Sequence, residues 1–164
     1  MADKPMDVYL NDHLAGAKFG SDLAEQLRSE NEGTALGELM QSLAPLIEQD
    51  RQTLIGVLER MGTSENPVKQ ATTWVAEKAS RVKFGGMSSG EADLGTFMAL
   101  ETLTLGVEGK MSLWTALKEV ADQYPPLASV DLDELIERAR SQHSLLERER
   151  IAASKLALRN DVAN

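Results

Sequence analysis

The sequence predicts an all-α fold, in which four long helices pack as a bundle and form a single domain over residues 1–164. In four long stretches, apolar residues recur at alternating steps of three and four, which is the period of a helix with one buried face. Aromatic residues make up only 4% of the chain, which favours an aliphatic core. Only five prolines and few clusters of β-branched residues interrupt this pattern, and both observations favour helices over strands.

The first two helices are predicted at about 6–29 and 34–61. A short turn at 31–33 makes them antiparallel neighbours, and Thr34 is placed to cap the second helix. Gly62 ends that helix, and Pro45 predicts a kink inside it. The inward face of the first helix carries Met6, Leu10, His13, Ala17, Gly20, Ala24 and Leu27. The inward face of the second carries Leu36, Met40, Leu43, Ile47, Asp50, Leu54, Val57 and Met61.

A long connection follows, and it is predicted to contain a short helix at about 67–83. Asn66 before Pro67 is a typical helix start. Trp74 contributes to an apolar side with which this short helix packs on the bundle. A connection of about 25 residues can return the chain to the other end of the bundle, so that the second and third helices run parallel.

The third helix is predicted at about 88–123, where Ser88 and Glu91 have the spacing of a capping box. From 94 to 107 its only charged residue is Glu101, and a helix that is apolar on nearly all sides is usually central in a fold.

The fourth helix is predicted at about 131–159, and Asp131 and Glu134 again have capping-box spacing. The inward face of this helix carries Leu132, Ile136, Ala139, His143, Leu146, Arg150 and Ala153.

Composition excludes several classes of function. The net charge of −9 disfavours binding to nucleic acid or to an anionic membrane surface. No apolar window is long enough to span a membrane, and the first residues do not form a secretory signal, so we expect a cytoplasmic protein. The chain has no cysteine, which excludes disulfides and thiolate ligands. It contains no G-x-S-x-G, H-E-x-x-H or phosphate-binding loop, and no catalytic residue is predicted.

Each predicted inward face contains an ionisable residue near the middle of its helix: His13, Asp50, Glu108 or His143. His13 and Asp50 both lie roughly 24 Å from the turn between the first two helices. Glu108 and His143 lie roughly 22 and 18 Å from the turn between the last two. The four residues are therefore predicted at nearly one level of the bundle core. Glu48 lies beside Asp50 and offers a second carboxylate there.

Two interpretations of this level remain open. Carboxylates and imidazoles together suit iron, manganese or zinc, so the residues predict a metal site of His13, Glu48, Asp50, Glu108 and His143. Alternatively, polar residues on an inward face form an internal hydrogen-bond network or lie partly exposed.

With its helices in this order, the chain resembles the bacterial ferritin-like family of YciE/YciF type over nearly its whole length. Three stretches carry the resemblance: LNDHL at 10–14, IEQD at 47–50 and VEGK at 107–110. The resemblance implies a ferritin-like four-helix bundle with a long crossover that carries a short extra helix between helices two and three.

Ferritin-like di-iron proteins take one Glu and one Glu-x-x-His from each half of the bundle, and this chain contains no Glu-x-x-His. Glu48 and Glu108 are the best matches to the family's carboxylates, while Ala17 stands where the helix-one Glu is expected. His143 lies near the fourth-helix ligand, but Arg140 precedes it by three residues. The resemblance therefore implies a bundle whose di-metal centre is degenerate.

We therefore expect a non-enzymatic helical protein, with the stress-related role that the resemblance implies. The apolar third helix and the short helix around Trp74 offer more apolar surface than one small bundle covers, which predicts a two-fold homodimer. The alternative is a metal-binding protein or oxidase with a reduced site of His13, Glu48 or Asp50, Glu108 and His143.

Overall fold

The computed structural model of the chain describes residues 4–63 and 89–160. In these ranges the protein is all-α, as predicted, and has no strand. Its long helices are α1 (Pro5–Glu30), α2 (Ala35–Met61), α3 (Ser89–Glu119) and α4 (Leu132–Ala157). The predicted short helix at 67–83, with Trp74, lies outside the described residues, and so does the predicted cap Ser88.

The helix ends follow the local sequence. The Thr34 hydroxyl accepts a hydrogen bond from the Gly37 N–H at 3.1 Å, and so caps α2. Asp131 caps α4 in the same way, because its Oδ1 accepts from the Glu134 N–H at 3.0 Å. Gly62 ends α2 in the left-handed conformation with φ 69, which a residue without a side chain adopts without strain. Both predicted caps and the predicted stop at Gly62 are therefore confirmed.

The turn between α1 and α2 requires a glycine at position 37. A Cβ atom there would lie 2.0 Å from the Asn31 carbonyl oxygen, far inside contact distance. That same oxygen accepts hydrogen bonds from both the backbone N–H and the hydroxyl of Thr34, at 3.1 and 2.7 Å. The turn and the first turn of α2 are thus packed directly against each other.

The third helix is shorter than predicted at its C-terminal end. It ends at Glu119, and the residues Ala121–Gln123 form a 3-10 turn instead. The cause is the proline pair that follows: Tyr124 precedes Pro125 and has φ −127 and ψ 88, away from the helical region. By contrast, Pro45 lies at an exposed position inside α2, and the helix continues through it to Met61.

Two apolar clusters fill the core. The upper core lies near the turn between α1 and α2 and includes Leu23, Leu27, Met40, Leu43, Leu100, Leu103 and Leu146. The lower core includes Leu10, Leu54, Val57, Leu113, Trp114, Leu117, Leu127 and Leu135. From these memberships, α1 and α4 run from the lower core to the upper, while α2 and α3 run from the upper to the lower. The helices α2 and α3 are therefore parallel, as predicted, and α1 packs against both α2 and α3.

Within the two described ranges, no helix combines the length and the apolar character that crossing a membrane requires.

Candidate functional site

A buried ion network occupies the level at which α2 passes from the upper to the lower core. Asp50 is 2% exposed, and its Oδ2 lies 2.5 Å from the Lys110 Nζ of α3. Gln142 of α4 donates to the same oxygen from Nε2 at 3.0 Å, and its Oε1 accepts from Lys110 at 2.5 Å. Arg138, one turn earlier on α4, forms an ion pair with Asp50 Oδ1. Three helices are thus joined through one carboxylate.

Neither the Asp50 carboxylate nor the Lys110 ammonium would be stable alone in the core. A buried carboxylate is costly unless cations and donors surround it, and Asp50 has two cations and an amide. Burial lowers the pKa of Lys110, while the charge of Asp50 and its hydrogen bond oppose that shift. With Asp50 Oδ2 2.5 Å away, the ammonium form of Lys110 is the one that the geometry stabilises.

Glu48 does not join Asp50. Its Oε2 accepts from the Ser21 hydroxyl of α1 at 2.5 Å, and its Oε1 accepts from Arg51 and Gln52 at 2.8 and 2.7 Å. These donors, led by Ser21, lower the pKa of Glu48. Glu48 therefore ties α2 to α1 near the surface, and Arg51 is the counter-ion of Glu48 and not of Asp50.

The prediction that Glu108 lies on the inward face of α3 is wrong. Half of its side chain is exposed, and its Oε2 lies 3.6 Å from the Nε2 of His143, which is itself partly exposed. The residues that point inward are one or two positions away: Lys110 on α3 and Gln142 on α4. The predicted level along the bundle was right, but the predicted face was rotated. The run from 94 to 107 is apolar nearly all round, so its sequence did not fix which side faces the core.

His13 lines the same cavity as Asp50, described below, but its ring contact is with a residue of its own helix. Its ring packs edge-on against Tyr9, with 4.6 Å between the ring centroids. Burial lowers the pKa of His13, while the nearby charge of Asp12 opposes that shift. The imidazole is therefore neutral at pH 7 and keeps one donor and one acceptor.

The five predicted metal ligands consequently divide into separate groups. Glu108 and His143 pair with each other, whereas Asp50, Glu48 and His13 each have different surroundings. Among residues 4–63 and 89–160, no three His, Asp or Glu side chains come together as a metal site. The donor set around Asp50 does not fit a metal ion, because two cations and an amide N–H already occupy the carboxylate.

A cavity of about 320 Å³ lies beside the network, between α1, α2 and α3. Its volume is near the lower end of the roughly 300–1,000 Å³ that is typical of small-molecule sites. Residues of both apolar clusters form its walls: Leu23, Ile47, Leu54, Leu103, Val107, Leu113 and Trp114. Its polar lining includes His13, Asp50, Arg51 and Lys110. The cavity is therefore a largely apolar space with the Asp50–Lys110 ion pair in its lining.

Glycines create much of this space. Gly16 and Gly20 of α1 line the cavity, as do Gly106 and Gly109 of α3. Among the described residues, a Cβ atom at Gly16, Gly106 or Gly109 would have no neighbour within 4 Å beyond its own stretch of helix. Glycine inside a helix costs about 0.5–1 kcal/mol relative to alanine. These positions therefore keep a destabilising residue where packing would accept a larger one.

Sequence reasoning missed Lys110, Arg138 and Gln142, the partners of Asp50. Lysine and arginine in a helix are usually solvated, so the residue type of Lys110 and Arg138 did not suggest a place in the core. A usable signal was present, however. Lys110 lies at helical spacing from Val107 and Trp114, both of which are buried apolar residues of α3.

Comparisons with protein-family models, with curated proteins and with solved structures find no match for this chain.

Proposed function

We propose that this protein is a non-enzymatic, ferritin-like four-helix bundle that binds a small, mainly apolar molecule in its core cavity. The observation that carries the proposal is the cavity of about 320 Å³ at the junction of the two core clusters. A concave, mostly apolar space with a few polar groups is the usual form of a small-molecule site, and this one has that form. The parallel course of α2 and α3 supports the ferritin-like arrangement, and the crossover itself remains a prediction.

The chemistry of the surrounding residues favours binding over catalysis. Asp50 and Glu48 both have close cationic and neutral donors, so neither is placed as a free general base. The apolar walls suit a hydrocarbon body, for which each buried methylene contributes about 0.8 kcal/mol. A stress-related role in the cytoplasm, which the resemblance implies, stays a prediction.

The test is a titration of the full chain with 1-octanol, a neutral probe with an apolar body. We expect saturable binding to the wild type. The variant Gly16→Ala/Gly109→Ala should bind roughly tenfold more weakly, because two methyl groups enter the cavity and overpacking costs on the order of 1–3 kcal/mol. The matched control is Gly56→Ala, a helical glycine of α2 that has free space around its Cβ but does not line the cavity.

All three glycine replacements should raise thermal stability through helix propensity, so weaker binding by the double variant cannot reflect misfolding. Absence of saturable octanol binding to the wild type would refute the proposal. Equal binding by the wild type and the double variant would also refute it.

Metal binding is the second candidate function, and one contact favours it. The 3.6 Å approach of His143 Nε2 to Glu108 Oε2 provides two ligands on adjacent helices. Under this alternative, Glu108→Gln should lower both the bound iron, manganese or zinc and the melting temperature, because metal binding stabilises the folded state. Under the cavity proposal, the same change at a half-exposed residue leaves the melting temperature unchanged. Elemental analysis of untagged protein, together with both melting curves, separates the two.

A further inference from the structure

The Asp50 network, which meets the cavity at Asp50 and Lys110, has an excess of positive charge. Asp50 is one carboxylate, and it faces two cations, the Lys110 ammonium and the Arg138 guanidinium. Gln142, the fourth member of the network, is neutral. Both cations share this one carboxylate, so the network has one more positive than negative charge, at a place where the Lys110 side chain is only 14% exposed.

The other acidic side chains nearby do not remove this excess. Glu48 is held by Ser21 and by Arg51, its own counter-ion. Asp12 lines the cavity from an exposed position of α1. His13 also lines it, as a half-buried imidazole beside Tyr9 that carries no negative charge. An uncompensated charge in a partly dry site is unfavourable, so an added anion would be stabilised there.

Lys110 and Trp114 also have hydrogen-bond donors that are not used by the described residues. An ammonium group has three N–H donors, and Lys110 uses two, toward Asp50 and Gln142. The indole Nε1–H of Trp114 is enclosed and has no acceptor in the described part of the chain. Trp114 follows Lys110 by four residues, so both lie on the same face of α3, and both line the cavity.

The cavity also has apolar lining residues, which suit the hydrocarbon tail of a ligand. Leucine, isoleucine and valine side chains from both core clusters also line the space. A ligand that matches the whole cavity therefore has a hydrocarbon body and one acceptor-rich head with a single negative charge.

We propose that the cavity binds a short- to medium-chain monocarboxylate, with the carboxylate at Lys110 and the hydrocarbon tail between α1, α2 and α3. This inference rests on the proposed function, because it assigns the ligand class of the same cavity. A monocarboxylate balances the single excess charge, whereas a doubly charged phosphate monoester would reverse it. The Lys110 ammonium donates its remaining N–H to the carboxylate, and no covalent step is involved.

The test compares octanoate with 1-octanol at pH 7.5, because the two probes share a tail length and differ in the head. Calorimetric titration of the full chain should give roughly tenfold tighter binding of octanoate, as a charge-assisted hydrogen bond provides. Lys110→Met should reduce that preference to about one, since Asp50 keeps Arg138 as its counter-ion and the head loses its donor.

A second variant tests the effect of the network's charge separately from direct contact between Lys110 and the ligand. Arg138→Met removes the excess charge from a residue that is not part of the cavity lining, and it leaves the Asp50–Lys110 pair intact. It too should weaken octanoate binding while octanol binding stays the same. The control is Lys118→Met, an exposed lysine of α3 paired with Asp133, which should keep the wild-type preference.

The outcomes distinguish this inference from the function on which it rests. Octanol binding without a preference for octanoate overturns only the monocarboxylate assignment. A preference that survives in both Lys110→Met and Arg138→Met also overturns it. If neither probe binds to the wild type, the proposed function itself fails.

Discussion

At the residue scale, two aspartate–lysine pairs of the same length have opposite surroundings. Asp50 and Lys110 lie 2.5 Å apart in the core, and Asp133 and Lys118 lie 2.5 Å apart at the surface. We expect Asp50→Asn to reduce the free energy of unfolding by about 3–5 kcal/mol, because it leaves two buried cations without a carboxylate. Asp133→Asn should leave it unchanged within error, since exposed pairs contribute little. Equal losses in urea denaturation of the two variants would contradict the network.

His13 provides a second residue-scale prediction. Because burial lowers the pKa of His13 in the folded state, the unfolded chain binds a proton first as the pH falls. The stability contributed by neutral His13 is therefore present above its unfolded pKa of about 6.5 and is lost as the pH falls below it. Proton NMR should show the His13 ring signal titrating below that value.

The stability consequence has its own control. The wild type should lose more melting temperature between pH 7.5 and pH 5.5 than His13→Gln, which lacks the buried imidazole. A His13 signal that titrates at or above the ordinary histidine value would contradict the burial of this ring.

Part of the candidate site was predictable from single residues. Asp50 was placed on the core face because leucine and isoleucine flank it at helical spacing, and this prediction is confirmed. Glu108 was misplaced, because the neighbouring residues of α3 are apolar on several sides and leave its rotation open. The partners of Asp50 depend on contacts between α2, α3 and α4, which no local pattern encodes.

At the scale of the elements, the turn between α1 and α2 makes a sharp prediction about glycine. Gly37→Ala should lower the free energy of unfolding by on the order of 2 kcal/mol, because its Cβ would collide with the Asn31 carbonyl oxygen. Gly56→Ala, which is also inside α2 but has open space around its Cβ, should instead raise it by about 0.5–1 kcal/mol. Thermal melts of the two variants check this, and a stabilised Gly37→Ala would mean that the turn is looser than described.

The elements themselves were largely predictable, because their ends are encoded locally. Thr34, Asp131 and Gly62 each act through contacts within a few residues, so the sequence was enough to place them. The end of α3 was predicted too late. The proline pair acts on Tyr124, but the change from α-helix to 3-10 turn begins several residues earlier.

At the scale of the whole molecule, assembly remains a prediction, and the exposed apolar residues suggest where to test it. Leu94 of α3 and Ile151 and Leu158 around the end of α4 are all exposed. An ion pair between Asp93 and Arg159, 3.8 Å apart, brings these ends together. We expect a homodimer at micromolar concentration, and Ile151→Glu/Leu158→Glu should make it monomeric. Light scattering that gives only monomer for the wild type would contradict this.

The space between α1, α2 and α3 is the proposed site of an apolar ligand. The most direct measurement is an NMR experiment on the full chain that records nuclear Overhauser effects between bound 1-octanol and protein methyl groups. We expect contacts from octanol methylenes to Leu54, Leu103 and Leu113, which line the cavity. Contacts only to exposed methyl groups such as those of Leu156 and Leu158, or no contacts at all, would contradict it.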